Sequence, residues 1–145
     1  MKHVSILFRS KCWNVFLLLC IALPSLAQKE FKIDQVSVVN VGDGRFLYRD
    51  LMTEKPLNGE HRIIDGYHSA YILASFKDGF YDGKYEEHLD NILINEGVYK
   101  DGRKNGLFKI YSKFDGKLKE EKSYKEGKLN GTSKTFFTDG KIESE

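Results

Sequence analysis

Glycines at a near-constant spacing constrain this chain more than any other feature of it. Gly59, Gly83, Gly106 and Gly131 each precede an aromatic-bearing run, at intervals of 24, 23 and 25 residues. A second glycine stands four residues earlier at Gly79, Gly102 and Gly127; in the first unit Lys55, beside Pro56, holds that place. A further turn signal closes the units at Asp65-Gly66, Asp115-Gly116 and Asp139-Gly140, with Asp90-Asn91 doing so in the second. Asp-Gly and Glu-Gly steps supply the positive φ that tight hairpins require. The ten glycines Gly59, Gly66, Gly79, Gly83, Gly102, Gly106, Gly116, Gly127, Gly131 and Gly140 are therefore expected at turns. A recurrence of 20–50 residues marks stacked supersecondary units, and about three are needed for a stable array.

The runs between the turns have the period of strands. From Leu118 to Tyr124 the two apolar ends share one face with Glu120 and Lys122, while Lys119, Glu121 and Ser123 occupy the other. Leu107 to Tyr111 carries apolar or aromatic residues on both faces. The expectation is an all-β chain: an elongated, single-layer antiparallel meander of repeated β-hairpins. Its units would cover about 57–75, 76–98, 99–123 and 124–145. Ahead of them, 28–56 reads as an N-terminal hairpin or cap, because the β-branched run from Phe31 to Val41 and the run Arg45 to Tyr48 flank Gly42-Asp43-Gly44. No segment after Gln28 has a convincing 3.6-residue apolar period, and a single helical turn near Glu86 to Leu93 is the only helical candidate.

Residues 1–27 follow other rules. Lys2, Arg9 and Lys11 form a basic start, Val15 to Leu23 an apolar run, and Ser25-Leu26-Ala27 a small-residue cleavage signal before Gln28. This is the pattern of a secretory signal peptide, cut between Ala27 and Gln28. A lipid anchor through Cys20 is disfavoured by the bulk of Leu19. The membrane is thus expected as a partner only during export, and the mature chain is expected in the periplasm or outside the cell. Cleavage would remove Cys12, Cys20 and Trp13, leaving no thiol for disulfides, metal or nucleophilic chemistry. It would also bring Lys+Arg from 23 to 20 against 21 Asp+Glu, a net charge of −1. Balanced, interleaved charge is not the one-sided basic surface of a nucleic-acid binder.

The phrase aromatic-x-acid-Gly-x-x-Asn-Gly-x-aromatic, as in Tyr99 to Phe108, followed by Asp115-Gly116-Lys117-Leu118, resembles the MORN-type repeats. The closer resemblance is to their bacterial variant, the YwqK-like family whose members are labelled antitoxins. It covers about Leu57 to Ile142 and is densest from Tyr99 to Lys141. It implies an array of β-hairpins in a twisted sheet, with aromatic strand positions at Tyr85, Phe108 and Phe136 and with Tyr99 and Tyr124 opening their units. Ser133 and His61 stand at the aromatic place in the fourth and first units, so that column is incomplete at both ends.

No catalytic signature stands above a plain structural reading. Gly42-Asp43-Gly44 lacks the rest of a phosphate cradle. His61, His68 and His88 lie in different units without ligand spacing. Asp78 to Gly83 with Glu86-Glu87 fails the calcium-loop pattern. No catalytic residue, cofactor or metal is expected, and an enzyme is the last choice. What remains is surface: Tyr81, Tyr85, Tyr99, Phe108, Tyr111, Tyr124, Phe136 and Phe137 as an interaction strip. As cross-strand pairs the same rings hold the sheet together, and that role weighs more on sequence alone. The expected function is an exported, non-enzymatic module binding an unidentified protein or envelope component. An antitoxin or immunity role and a carbohydrate or cell-wall binder are the alternatives, the latter weakened by the loss of Trp13.

Overall fold

The computed structural model describes residues 29–145; the leader and its cleavage site lie outside the described residues. The chain is nearly all β, antiparallel and rich in hairpins, and it does not close into a barrel. The described residues form twelve strands: β1 (Lys29–Lys32), β2 (Val36–Asn40), β3 (Phe46–Asp50), β4 (Gly59–Asp65), β5 (Ala70–Lys77), β6 (Phe80–Leu89), β7 (Ile92–Lys100), β8 (Arg103–Lys104), β9 (Gly106–Tyr111), β10 (Leu118–Lys125), β11 (Lys128–Phe136) and β12 (Ile142–Ser144). From β4 onward the strands pair with their sequence neighbours, β8 and β9 both lying along β7.

Turn chemistry explains this order. Asp78-Gly79, Asp101-Gly102 and Glu126-Gly127 each have φ between +47° and +82° at both residues, as do Asp90-Asn91 at +50° and +63°. Two consecutive positive φ values define the turn whose twist matches that of the flanking strands. The candidate helical turn near Glu86 to Leu93 is therefore not formed: β6 runs to Leu89, Asp90-Asn91 reverses the chain, and β7 begins at Ile92. Four of the predicted turn glycines need correction as well. Gly59 and Gly106 open their strands and Gly83 and Gly131 lie inside theirs, at φ between +90° and +117°; the ladder shifts register beside Gly83 and Gly131 rather than reversing there. Gly66 sits in a turn without a left-handed φ, which Ser69 supplies instead at +52°.

The turn glycines share a backbone contact. The Gly79 amide donates to the Leu57 carbonyl (2.9 Å), Gly102 to Tyr81 (2.8 Å) and Gly127 to Lys104 (2.8 Å). Each acceptor stands two residues before Gly59, Gly83 or Gly106. The same stitch thus joins one hairpin to the next three times.

The N-terminal segment departs from expectation. β2 and β3 form the predicted hairpin around Gly42-Asp43-Gly44, as a separate two-stranded sheet. Phe31 is not part of it. The backbone amide of Lys32 donates to the Gln35 side chain (2.9 Å), a 3-10 turn spans Ile33–Gln35, and the chain changes direction. β1 then adds to β4 in parallel, placing Phe31 against Ile63 and edge-on to His61 (5.3 Å). Burying that ring fixes the strand's position, contributing roughly 1.5–3 kcal/mol.

The core is Phe31, Val36, Leu57, Ile63, Ala74, Phe76 and Tyr81, with Tyr48, Ile72, Tyr85 and Tyr99 packed against it. It lies between the β2–β3 hairpin and one face of the large sheet, so the first half of the chain is two layers deep. The other face is charged. Cross-strand neighbours there run Glu30, Arg62, Leu73, Glu86, Glu96, Lys109, Glu121 and Lys134. Glu30–Arg62 and Glu96–Lys109 pair at 3.2 Å each, while Lys84 and His88 hold Glu86.

Candidate binding groove

Strand register gathers the rings onto the face opposite those charges. His61 lies opposite Ala74 and Ala74 opposite Tyr85; Phe76 faces Tyr81, and Phe108 faces Lys122. The result is an unbroken series of ring contacts from β1 to β10: Phe31–His61 (5.3 Å), His61–Phe76 (5.9 Å), Phe76–Tyr81 (4.9 Å), Tyr81–Tyr99 (5.1 Å), Tyr99–Phe108 (5.3 Å) and Phe108–Tyr124 (5.5 Å). Tyr85 contacts both Tyr81 and Tyr99, and Tyr48 joins from the hairpin at 4.7 Å from Tyr81. Most neighbours meet edge to face, the favourable arrangement for ring quadrupoles.

Of the eight rings expected to form a surface strip, five are in this ladder: Tyr81, Tyr85, Tyr99, Phe108 and Tyr124. Tyr81 and Phe108 are buried, so the accessible part is narrower than the sequence suggested. Tyr111 lies on the opposite face with its hydroxyl on Glu96 (2.6 Å). Phe136 and Phe137 enter no ring contact among the described residues, and Phe137 is 51% exposed. Phe108 rests on Gly97, where an added Cβ would lie 2.6 Å from its ring. Neither Gly97 nor Phe46 stood out from the sequence; their partners are visible only once register and hairpin docking are known.

Where the hairpin leaves the sheet a groove of about 500 Å³ opens, lined by Phe46, Tyr48, Tyr81, Tyr85, Tyr99 and Lys104 with Asp43, Arg103, Glu126 and Lys128 at its margin. The hairpin is laced down by backbone bonds from Tyr48 to Gly79 (2.8 Å) and from Leu57 to Tyr48 (3.0 Å). At its tip Asp43 pairs with Arg103 (2.7 Å), and Arg45 lies over the Phe80 ring (4.8 Å). Gly42-Asp43-Gly44 is thus the tip of a clasp. A smaller pocket of about 90 Å³ continues the groove along the ladder past Glu87, Asn95, Lys104, Phe108, Lys122 and Tyr124.

Burial sets the protonation states. It raises the Tyr81 and Tyr85 hydroxyls far above the ordinary tyrosine range and Tyr99 to about 12, so all three remain neutral. Lys104 moves the other way: desolvation lowers its ammonium, nearby Lys122 adds to the effect, and Glu87 opposes it. Its Nζ sits 4.8 Å from the Phe108 ring centre and 5.1 Å from that of Tyr124. Glu87 is engaged by Asn95 (2.7 Å) and the Tyr85 hydroxyl (3.2 Å), and Glu120 by Lys122. The three histidines of the described residues are dispersed among the ladder (His61), the 66–69 turn beside Asp65 (His68, 2.6 Å) and the charged face against Tyr71 (His88, 4.4 Å). No cluster of three His, Cys, Asp or Glu suited to a metal occurs among the described residues.

Compared with family models and with curated proteins, the sequence finds no match.

Proposed function

We propose that the chain is an exported, non-enzymatic interaction module built from four MORN-like hairpin units, and that it binds a protein or envelope component in the groove. The observation that carries this reading is the groove itself. Its floor is formed by tyrosines held in place by their neighbours, its rim bears Phe46 exposed, and ordered aromatic surface of this kind binds at low entropic cost. The repeated stitch from Gly79, Gly102 and Gly127 supports structural equivalence of the units. The basic, apolar and small-residue order of residues 1–27 supports export.

Two measurements test the two halves of the proposal. N-terminal sequencing of the protein from its native host is expected to begin at Gln28 in an envelope or external fraction; an uncleaved chain in the cytosol would remove the export half. Affinity capture from envelope extract is expected to return a discrete protein, with recovery reduced by Phe46→Ala in a chain whose circular dichroism is unchanged. Recovery of polysaccharide without protein would transfer the groove to a cell-wall ligand.

A further inference from the structure

The three stitched positions are Leu57, Tyr81 and Lys104. In the first two hairpins that position is filled by a buried core residue. In the third it is a lysine, half-buried against two aromatic rings, where its predecessors indicate an apolar side chain. Among the described residues no carboxylate pairs with Lys104, whereas Arg103 beside it is held by Asp43 and Lys122 by Glu120. The two rings and the more distant charge of Glu87 offset part of the desolvation cost, but the ammonium has no ion-pair partner there, and such departures from local consistency concentrate at functional sites. Its most direct complement is an anion.

The ladder narrows the kind of anion carrier. Tyr85 and Tyr99 cross at 64°, Tyr99 and Phe108 at 87°, and Phe108 and Tyr124 at 78°. Rings so crossed leave notches between them instead of the flat platform on which a pyranose stacks. Notches beside a lysine suit the side chains of an extended peptide. We propose that the groove takes an acidic peptide segment whose carboxylate pairs with Lys104 while neighbouring apolar side chains enter the notches. This rests on the groove being the binding site.

The test uses the mature chain and three probes: blocked heptapeptides with a central Glu and apolar flanks, the same peptides with a central Gln, and oligogalacturonate. Binding is followed by fluorescence anisotropy at low salt. The Glu peptides are expected to bind at least about tenfold tighter than the Gln peptides. That preference should vanish in Lys104→Met and persist in Lys119→Met, where the lysine is exposed. Lys104→Met should also match or exceed the native chain in urea midpoint, since it restores an apolar side chain at the stitched position, so lost preference cannot be ascribed to unfolding. Equal binding of Glu and Gln peptides overturns the carboxylate assignment and leaves the groove as a binding site. Tighter binding of oligogalacturonate overturns the peptide assignment, and failure of all three probes overturns both this inference and the groove as the site.

Discussion

At the scale of the residue, Phe108 and its support decide how well the second half of the sheet holds together. Phe108 is 4% exposed, lies between Tyr99 and Tyr124, and covers Gly97. Phe108→Ala is expected to cost about 3–5 kcal/mol, more than any exposed Lys→Ala in the same region. Gly97→Ala should cost about 1–3 kcal/mol by displacing that ring. Urea denaturation of the two variants checks both figures, and a Gly97→Ala midpoint equal to the native one would contradict the packing. His61 offers a pH readout. Its Nδ1 is buried without a partner, and burial between Phe31 and Phe76 lowers its pKa below the ordinary 6.5. The unfolded chain then binds the proton more readily, so this contribution is intact above about pH 6.5 and is lost as pH falls through the folded value. Stability measured between about pH 7 and 5 should therefore decline in the native chain and decline less in His61→Phe. The ladder position of Phe108 could be read from its place after Gly106. That of Gly97 could not, because it lies outside the glycine rhythm and its partner Phe108 is eleven residues away on another strand.

At the scale of the element, local chemistry made the hairpins legible and long-range packing hid the remainder. Consecutive Asp-Gly or Asp-Asn residues define reversals that need no information from distant parts of the chain, and β2–β3 and the strands from β4 onward follow from them. The parallel pairing of β1 with β4 depends on burying Phe31 against residues some 30 positions away, for which a two-residue apolar alternation carries no signal. For the same reason the hairpin's docking over the sheet was invisible, although the hairpin was not. Gly79 reports that docking. A Cβ there would stand 2.5 Å from Leu47 Cδ1 and 2.8 Å from the Tyr48 carbonyl oxygen, with φ at +82°. At Gly140, with φ at +84°, a Cβ would meet nothing within 4 Å. Both Gly→Ala changes incur the same backbone strain, about 1–2 kcal/mol. Only Gly79→Ala should add a further loss of about 1–3 kcal/mol from the clash. Thermal unfolding of the pair checks the difference; equal shifts would mean that the hairpin yields without resistance.

At the scale of the whole molecule, stability is unevenly placed along a sheet that does not close on itself. Among the described residues, seven of the eight buried apolar side chains lie from Phe31 to Tyr81, where the hairpin covers the sheet; beyond them Phe108 stands alone. β11 and β12 contribute no buried residue, and Leu129 and Ile142 are exposed. In a meander each strand leans chiefly on its sequence neighbours, so the weak end can open without the strong one. Hydrogen exchange should therefore resolve a gradient. Amides of β5 and β6 should exchange only through global unfolding, those of β9 and β10 at an intermediate level, and those of β11 and β12 through local opening at much lower free energy. Phe108→Ala should widen the gap by weakening β9 and β10 while leaving β4 to β6 protected. Uniform protection from β4 to β12 would instead mean that the aromatic ladder couples all strands into one cooperative unit. The groove lies where the two regimes meet, floored by Tyr81 and Tyr85 on the rigid side and bounded by Lys104 and Lys128 on the looser one. A ligand bridging that boundary would raise protection in β9 to β11 first, because those strands have the most order to gain.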